Sequence, residues 1–229
     1  MKDIKREMVN IMNNIIGLIV SIIFIGMIIG SAKIFEKSGK EASRKYIHIM
    51  LSNWWFIAMI FFDNWIWASI LPAIFIVINY MSYKNGIIKV MERDKKDKNK
   101  DSLGTVYYAI SLLILTITTF GILDNPFIGL CGILVMGYGD GLAAVLGKSI
   151  KSRVFKIRGN KKSIIGSFTM FVVTLLIVSS FLNYANSAYI ILKSIGIAAI
   201  VTVIEMISRK GTDNLTVPLL TSLLVFVMM

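Results

Sequence analysis

The sequence predicts an all-α, polytopic integral membrane protein of about eight transmembrane helices, and three observations predict it. Apolar residues make up 56% of the 229-residue chain and charged residues 17%, against about 45–50% and about 25% in a soluble domain. The apolar residues are gathered into long blocks, among them 9–30, 65–81, 106–123, 164–182 and 188–203, and a helix crosses a bilayer with roughly 20 mostly apolar residues. The basic residues, in turn, collect in alternate connections between the blocks. These facts exclude a soluble enzyme, a disordered chain, a collagen and a disulfide scaffold.

The expected spans cover about 9–32, 46–62, 65–83, 104–123, 126–147, 163–183, 187–207 and 214–229. The first follows Lys2, Lys5 and Arg6. Its apolar core is longer than that of a signal peptide and no small-residue cleavage site precedes the next charges, so it reads as a retained helix. The second is short, carries Trp54 and Trp55, and turns at Asp63-Asn64 into a third opened by Trp65 and Trp67. Tryptophan favours the membrane–water boundary, which suits a tight turn at the surface. Asp124-Asn125-Pro126 is a second short turn, with proline opening the next helix, and 183–187 a third.

The remaining connections, 33–45, 84–103, 148–162 and 208–213, give a single domain over 1–229 one basic face. They hold five, seven, seven and two basic residues, together 21 of the chain's 25. Basic loops stay in the cytoplasm, so both termini are expected outside and this face in the cytosol of a cell membrane, a bacterial inner membrane. Topology thus explains the net charge of +12 without a nucleic acid partner. The mixed-charge run Met91–Asp101 reads as a solvated loop or helix extension. The single cysteine, Cys131, excludes an intramolecular disulfide and a cysteine-based zinc site.

Ionisable residues within or at the mouth of spans are costly and point to function. Four places carry them, all at the basic face. Glu41, Arg44, Lys45 and His48 follow helical spacing on one face, and two cations with the sole histidine suit a phosphate-bearing ligand. Their bland alternative is that of ordinary positive-inside anchors. Asp140 lies inside a span in the run Met136-Gly-Tyr-Gly139-Asp140-Gly141, with Ala143, Ala144 and Gly147 on its face, leaving room for a ligand or a closely packed helix. Gly141 to Gly147-Lys148-Ser149 imitates a P-loop, but five residues separate its glycines where four are needed and no strand precedes it. Lys161-Lys162-Ser163 opens the sixth span, where a serine cap and free N–H groups make an anion site or simply a capped basic helix. Finally, Glu205 precedes Asp213-Asn214, which can cap the eighth helix. Glu205 and Asp213 with Asp140 would offer the hard oxygens that Mg²⁺ takes.

Cations for phosphate, carboxylates for a metal or a proton, and a membrane setting describe phosphoryl or nucleotidyl transfer to a lipid. The motifs E-x-x-R-K-x-x-H at 41–48, Gly104-Thr-Val-Tyr-Tyr108, G-D-G-L-A-A-x-x-G-K at 139–148, Lys162-Ser163-x-x-Gly166-Ser167 and D-N-L-T-V-P at 213–218 resemble the CTP-dependent lipid kinases, the family of dolichol kinase, phytol kinase and fungal-type diacylglycerol kinase. The matches keep the family's order from 41 to 218. The resemblance implies transfer of the terminal phosphate of CTP, or UTP, to the hydroxyl of a polyprenol, a phytol-like alcohol or diacylglycerol, with Mg²⁺ or another divalent cation. By that match Asp140 is the central acidic residue, Lys162 and Ser163 belong to the nucleotide-phosphate site, Arg44, Lys45 and His48 to the entry helix, and Asp213 and Asn214 to the closing loop. Dividing the roles by their chemistry, Asp140 and Asp213 are expected to be catalytic, and Asp140, Glu205 and Asp213 to be metal ligands. Nucleotide and phosphate binding would fall to Arg44, Lys45, His48, Gly139, Gly141, Lys148, Lys161, Lys162, Ser163, Gly166 and Asn214. The chain departs from the family at Ile165, where the pattern has an acidic residue.

Two other readings compete. Phosphatidate cytidylyltransferases share a G-D-x-x-A-x-x-G motif and the membrane setting, but add a histidine-containing C-terminal stretch that a chain whose only histidine is His48 lacks. A small transporter would also hold carboxylates in mid-bundle, yet it needs polar residues along a path through the bilayer, and here they gather at one face.

Overall fold

The computed structural model describes residues 2–35, 40–85, 103–158, 160–209 and 211–229; the Met91–Asp101 run lies outside them. Helix α1 spans Lys2–Phe35, α2 Lys40–Ser52, α3 Trp54–Phe61 and α4 Trp65–Asn85. Helix α5, Gly104–Leu115, runs on into a π-helical turn at Thr116–Ile122. Helix α6, Pro126–Leu134, passes through a second π-helical stretch, Val135–Asp140, into α7, Gly141–Ser149. After the hairpin β1, Val154–Ile157, and β2, Asn160–Ser163, come α8, Ile164–Tyr184, α9, Ile190–Ile207, and α10, Asp213–Met228. Six helical stretches among the described residues are long and apolar enough to cross a membrane.

The two remaining expected spans are shorter. Helix α10 has 16 residues, and the 46–62 segment is two helices rather than one. At their junction the Asn53 side chain donates to the carbonyls of Ile49 and Met50 at 3.2 and 3.3 Å, a local bond that competes with the helical ladder. Trp54 and Trp55 face inward rather than outward. Both are buried, their indole N–H groups donating to Ser21 Oγ at 3.0 Å and to the Pro126 carbonyl at 2.9 Å. Trp65 does stay exposed. The 148–162 connection, expected as a loop, contains the antiparallel hairpin, paired Val154 to Ser163 through Ile157 to Asn160. Helix α2 begins at Lys40, inside the expected 33–45 loop.

The bundle is built around the α6–π–α7 rod. Of its most apolar stretch 72% is buried, against 22–44% for the other five crossing helices. Its partners approach closely because the rod is rich in glycine. A Cβ at Gly132 would run into the Pro218 carbonyl and the Ser222 side chain of α10, and Ser222 Oγ donates to the Ile128 carbonyl at 3.0 Å. In a bilayer, where apolar surface gains little by leaving lipid, such backbone proximity and interhelical bonds hold helices together.

At the far end of the bundle the turns close with polar residues. Asn14 of α1 donates to Asp63 Oδ1 at 2.8 Å and accepts from the Asp63 backbone N–H at 3.2 Å. Asp124 and Asn186 adopt positive φ, 46° and 51°, which short polar side chains tolerate.

Gly132→Ala is expected to force α6 from α10 and to lower stability by about 1–3 kcal/mol. Thermal unfolding of the detergent-solubilised protein measures it.

Candidate active site

Three carboxylates converge at one end of the rod. Asp140 closes the π-helical stretch, Glu205 lies in the last turn of α9, and Asp213 begins α10. One oxygen from each lies within 4.8 Å of the other two. Asp140 and Glu205 are 6% and 4% exposed, so their charges stand in a low-dielectric setting and require partners. Each has a lysine: Lys45 Nζ of α2 bonds Asp140 Oδ2, and Lys162 Nζ of β2 bonds Glu205 Oε1. The carboxylate that the sequence presents as unpaired is therefore paired across 95 residues.

Local structure explains how each side chain arrives. Asp140 reaches the cluster because α2 and α8 pack against the glycines around it. A Cβ at Gly137 would strike Ser52, one at Gly141 would strike Ile49, and one at Gly139 would sit 2.7 Å from Met170 Sδ. Ala143 fills its share of the small-residue stripe against α8, its carbonyl 3.0 Å from where a Gly166 Cβ would be. That stripe serves helix packing. Ser163 caps α8, its Oγ accepting from the Gly166 N–H at 3.1 Å. The cap holds the C-terminal end of β2, and with it Lys162, at the mouth of α8. Burial by itself would depress the Lys162 ammonium, but the Glu205 carboxylate beside it outweighs that and holds it above the usual lysine range. Asp213 Oδ1 accepts from the Asn214 N–H at 3.1 Å, the short-range bond of an acidic residue in the first turn of a helix.

The structure divides the other expected residues. Arg44 and His48 share α2 with Lys45, and Arg44 is half-buried; of Glu41 only the helix position is described. Asn214 is half-buried beside Asp213. Lys148 and Lys161 stand apart, exposed and unpaired with any carboxylate among the described residues. On β2, successive residues face opposite ways, so Lys161 turns out where Lys162 turns in. Ile165, where the resembled pattern has an acid, is half-buried, with its N–H 3.4 Å from Ser152 Oγ.

One feature has no sequence-derived role. The ring of Tyr108 on α5 lies 4.3 Å, centroid to centroid, from that of His48, and His48 Nε2 and the Tyr108 hydroxyl are buried without a hydrogen-bond partner. Tyr108 ends the Gly104–Tyr108 motif, so the sequence flagged the segment but gave no chemistry for the residue. An apolar groove of about 400 Å³ runs between α9 and α10, lined by Ile204, Leu215, Thr216, Leu219, Leu220 and Leu223.

Comparison with known proteins agrees with the resemblance. The chain is similar to the phytol kinase of Synechocystis sp., at 32% identity over 86% of this chain and 84% of that protein. It is also similar to a probable chloroplastic phytol kinase of Triticum aestivum, at 29% over 82% and 68%, and to one of Zea mays, at 25% over 82% and 67%. No family model and no solved structure matches it.

Lys162→Met leaves Glu205 buried without its cation and is expected to cost about 3–5 kcal/mol, whereas Lys162→Met with Glu205→Gln costs distinctly less. A double-mutant cycle on thermal unfolding reads the difference.

Proposed function

The chain belongs to the phytol and dolichol kinase family of membrane lipid kinases, phosphotransferases with an alcohol acceptor, and from that premise we propose that it phosphorylates a phytol-like alcohol from CTP or UTP. The observation that carries the reading is the convergence of Asp140, Glu205 and Asp213 with two half-buried lysines at a single bundle end. Similarity to a phytol kinase and to two probable phytol kinases supports the acceptor class. The apolar groove between α9 and α10 suits a long apolar chain, and Ile204 and Leu215 of its lining belong to the same helix ends as Glu205 and Asp213. A long alcohol resting there would have its hydroxyl at the end of the bundle that carries the carboxylates. Leu215, Leu219 and Leu223 recur every four residues on α10, so they form one apolar stripe beside the chain.

In the proposed reaction the alcohol oxygen attacks the terminal phosphorus of the nucleoside triphosphate. A new P–O bond forms as the bond to the bridging oxygen breaks, and the nucleoside diphosphate leaves. Such transfer asks the protein mainly to position reactants and balance charge. Lys45, Lys162 and Arg44, with the capped N-terminus of α8, would hold the phosphates. Gly139, Gly141 and Gly166 serve by letting helices close around the site, Ser163 by capping α8, and Asn214 by flanking Asp213. His48, with an unpartnered ring nitrogen, would complete its hydrogen bonding on the donor. Asp213, the most accessible of the three carboxylates, is assigned the proton of the attacking hydroxyl.

Asp140, Glu205 and Asp213 would hold a divalent cation. Their oxygen-only donor set and mutual separation fit Mg²⁺, which supplies charge neutralisation on the transferring phosphoryl group. Lys45 and Lys162 then pass from carboxylate to phosphate. The membrane is that of a cell, the bacterial inner membrane, with both termini outside and this site at the cytosolic face. Segregation of 21 basic residues into alternate connections supports this orientation.

Asp140→Asn is expected to reduce transfer by about 100-fold or more while the protein still inserts and unfolds as a folded membrane protein. Detergent-purified protein, a divalent cation, a panel of lipid alcohols and terminally labelled CTP, UTP or ATP provide the assay. Organic-phase label from CTP or UTP on a phytol-like alcohol is the expected result, and near-normal turnover by Asp140→Asn would overturn the assigned centre. In the same assay Leu219→Trp, which fills the groove, should raise KM for the alcohol about tenfold and leave KM for the nucleotide unchanged.

A further inference from the structure

Six cations around the hairpin take no part in the site described above. Lys148, Lys151, Arg153, Lys156, Arg158 and Lys161 are all exposed, and none pairs with a carboxylate among the described residues. No acid is near in sequence, because the chain has no Asp or Glu between Asp140 and Glu205. The register aggravates the imbalance. Lys156 stands directly across from Lys161, and like charges at that position destabilise a strand pair. A hairpin four residues long on each strand tolerates such repulsion where an anion offsets it.

The placement of the hairpin identifies the anion. It connects the ends of two membrane-crossing stretches, Pro126–Ser149 and Ile164–Tyr184, so it lies at the membrane–water boundary. Its backbone is held there: the Ile164 N–H donates to the Arg153 carbonyl at 3.1 Å. Two apolar side chains at its base, Ile150 and Val154, are 48% and 58% exposed. Basic residues flanking a span, interleaved with exposed apolar ones, fit an anionic lipid surface, in which cations meet headgroups and apolar side chains meet the acyl boundary.

We propose that the outward face of this hairpin binds the phosphate-bearing headgroups of anionic phospholipids, through Lys156 and Lys161 on its strands and the flanking Lys148, Lys151, Arg153 and Arg158. The inward face of β2 carries Lys162 to Glu205, so lipid bound outside fixes the strand that presents a lysine inside. The inference concerns the bilayer and not the acceptor or the phosphate donor, and it stands independently of which alcohol is phosphorylated.

The test uses the full chain reconstituted in phosphatidylcholine vesicles containing spin-labelled phosphatidylglycerol or spin-labelled phosphatidylcholine, with the motionally restricted fraction of each label measured. The wild type should prefer phosphatidylglycerol, and added salt should weaken the preference. Combining Lys151→Gln, Arg153→Gln, Lys156→Gln and Arg158→Gln should lower the preference about twofold or more. Unchanged selectivity would overturn the proposal. So would unchanged selectivity combined with a raised KM for CTP, which would assign the cations to the nucleotide. Lys156→Glu guards against a folding artefact. It creates a Glu–Lys pair in place of the repulsion, so thermal stability in neutral detergent should rise while phosphatidylglycerol selectivity falls. A loss of stability on that substitution would show that no repulsion is there to be relieved and would also overturn it.

Discussion

Charge buried at one end of an apolar bundle governs this fold. Asp140, Glu205 and Asp213 share a space of a few ångströms, and each buried carboxylate would be costly if left alone. Lys45 and Lys162 offset that cost, one from α2 and one from β2. The five charges thus come from five separate stretches of chain, and the packing of those stretches is what the cluster requires. The α6–π–α7 rod occupies the centre and carries Asp140. Its glycines let α2, α8 and α10 approach closely enough for charges on different helices to meet. A single added methyl group at such a contact moves a helix, and with it a charge.

The π-helical stretch Val135–Asp140 belongs to the same logic. A π turn inserts an extra residue and shifts the facing of everything after it. Asp140 ends that turn, so Met136 stays in the core while Asp140 faces the cluster, and α7 continues with Ala143 against α8. The glycines at 137, 139 and 141 permit both the local geometry and the near contacts with Ser52, Met170 and Ile49.

Much of this was legible in the sequence, for identifiable reasons. Hydropathy marks crossing helices because the bilayer demands a fixed length of apolar residues, and the charge-bearing segments stand out against that background. What it leaves open is which helices meet. No local signal pairs Lys45 with Asp140 or Lys162 with Glu205, since those contacts depend on helix rotation and crossing set by many weak packing terms. Asn53 illustrates the limit on continuity: a short polar side chain inside an apolar run is tolerated in helices generally, and here it splits α2 from α3 by binding Ile49 and Met50. Trp54 and Trp55 illustrate the limit on facing, for their indoles point inward and find hydrogen-bond partners inside the bundle. Tyr108 escaped assignment because a tyrosine in an apolar helix carries no mark of the histidine it will face.

The lysine pair at 161–162 shows how structure redistributes roles within a motif. In sequence both residues read as one basic signal ahead of a capped helix. Placed on β2, they separate by the two-residue period of a strand, one beside Glu205 and the other across from Lys156. Function follows from that separation. Lysine is a compact charge on a flexible stem, so in the proposed reaction Lys45 and Lys162 would keep the carboxylates neutralised before substrate arrives and move to the donor phosphates afterwards, leaving the acidic oxygens for a cation. The exposed lysine has no carboxylate partner among the described residues. Its charge would act on what surrounds the protein, which in the proposed orientation is the headgroup layer of the membrane.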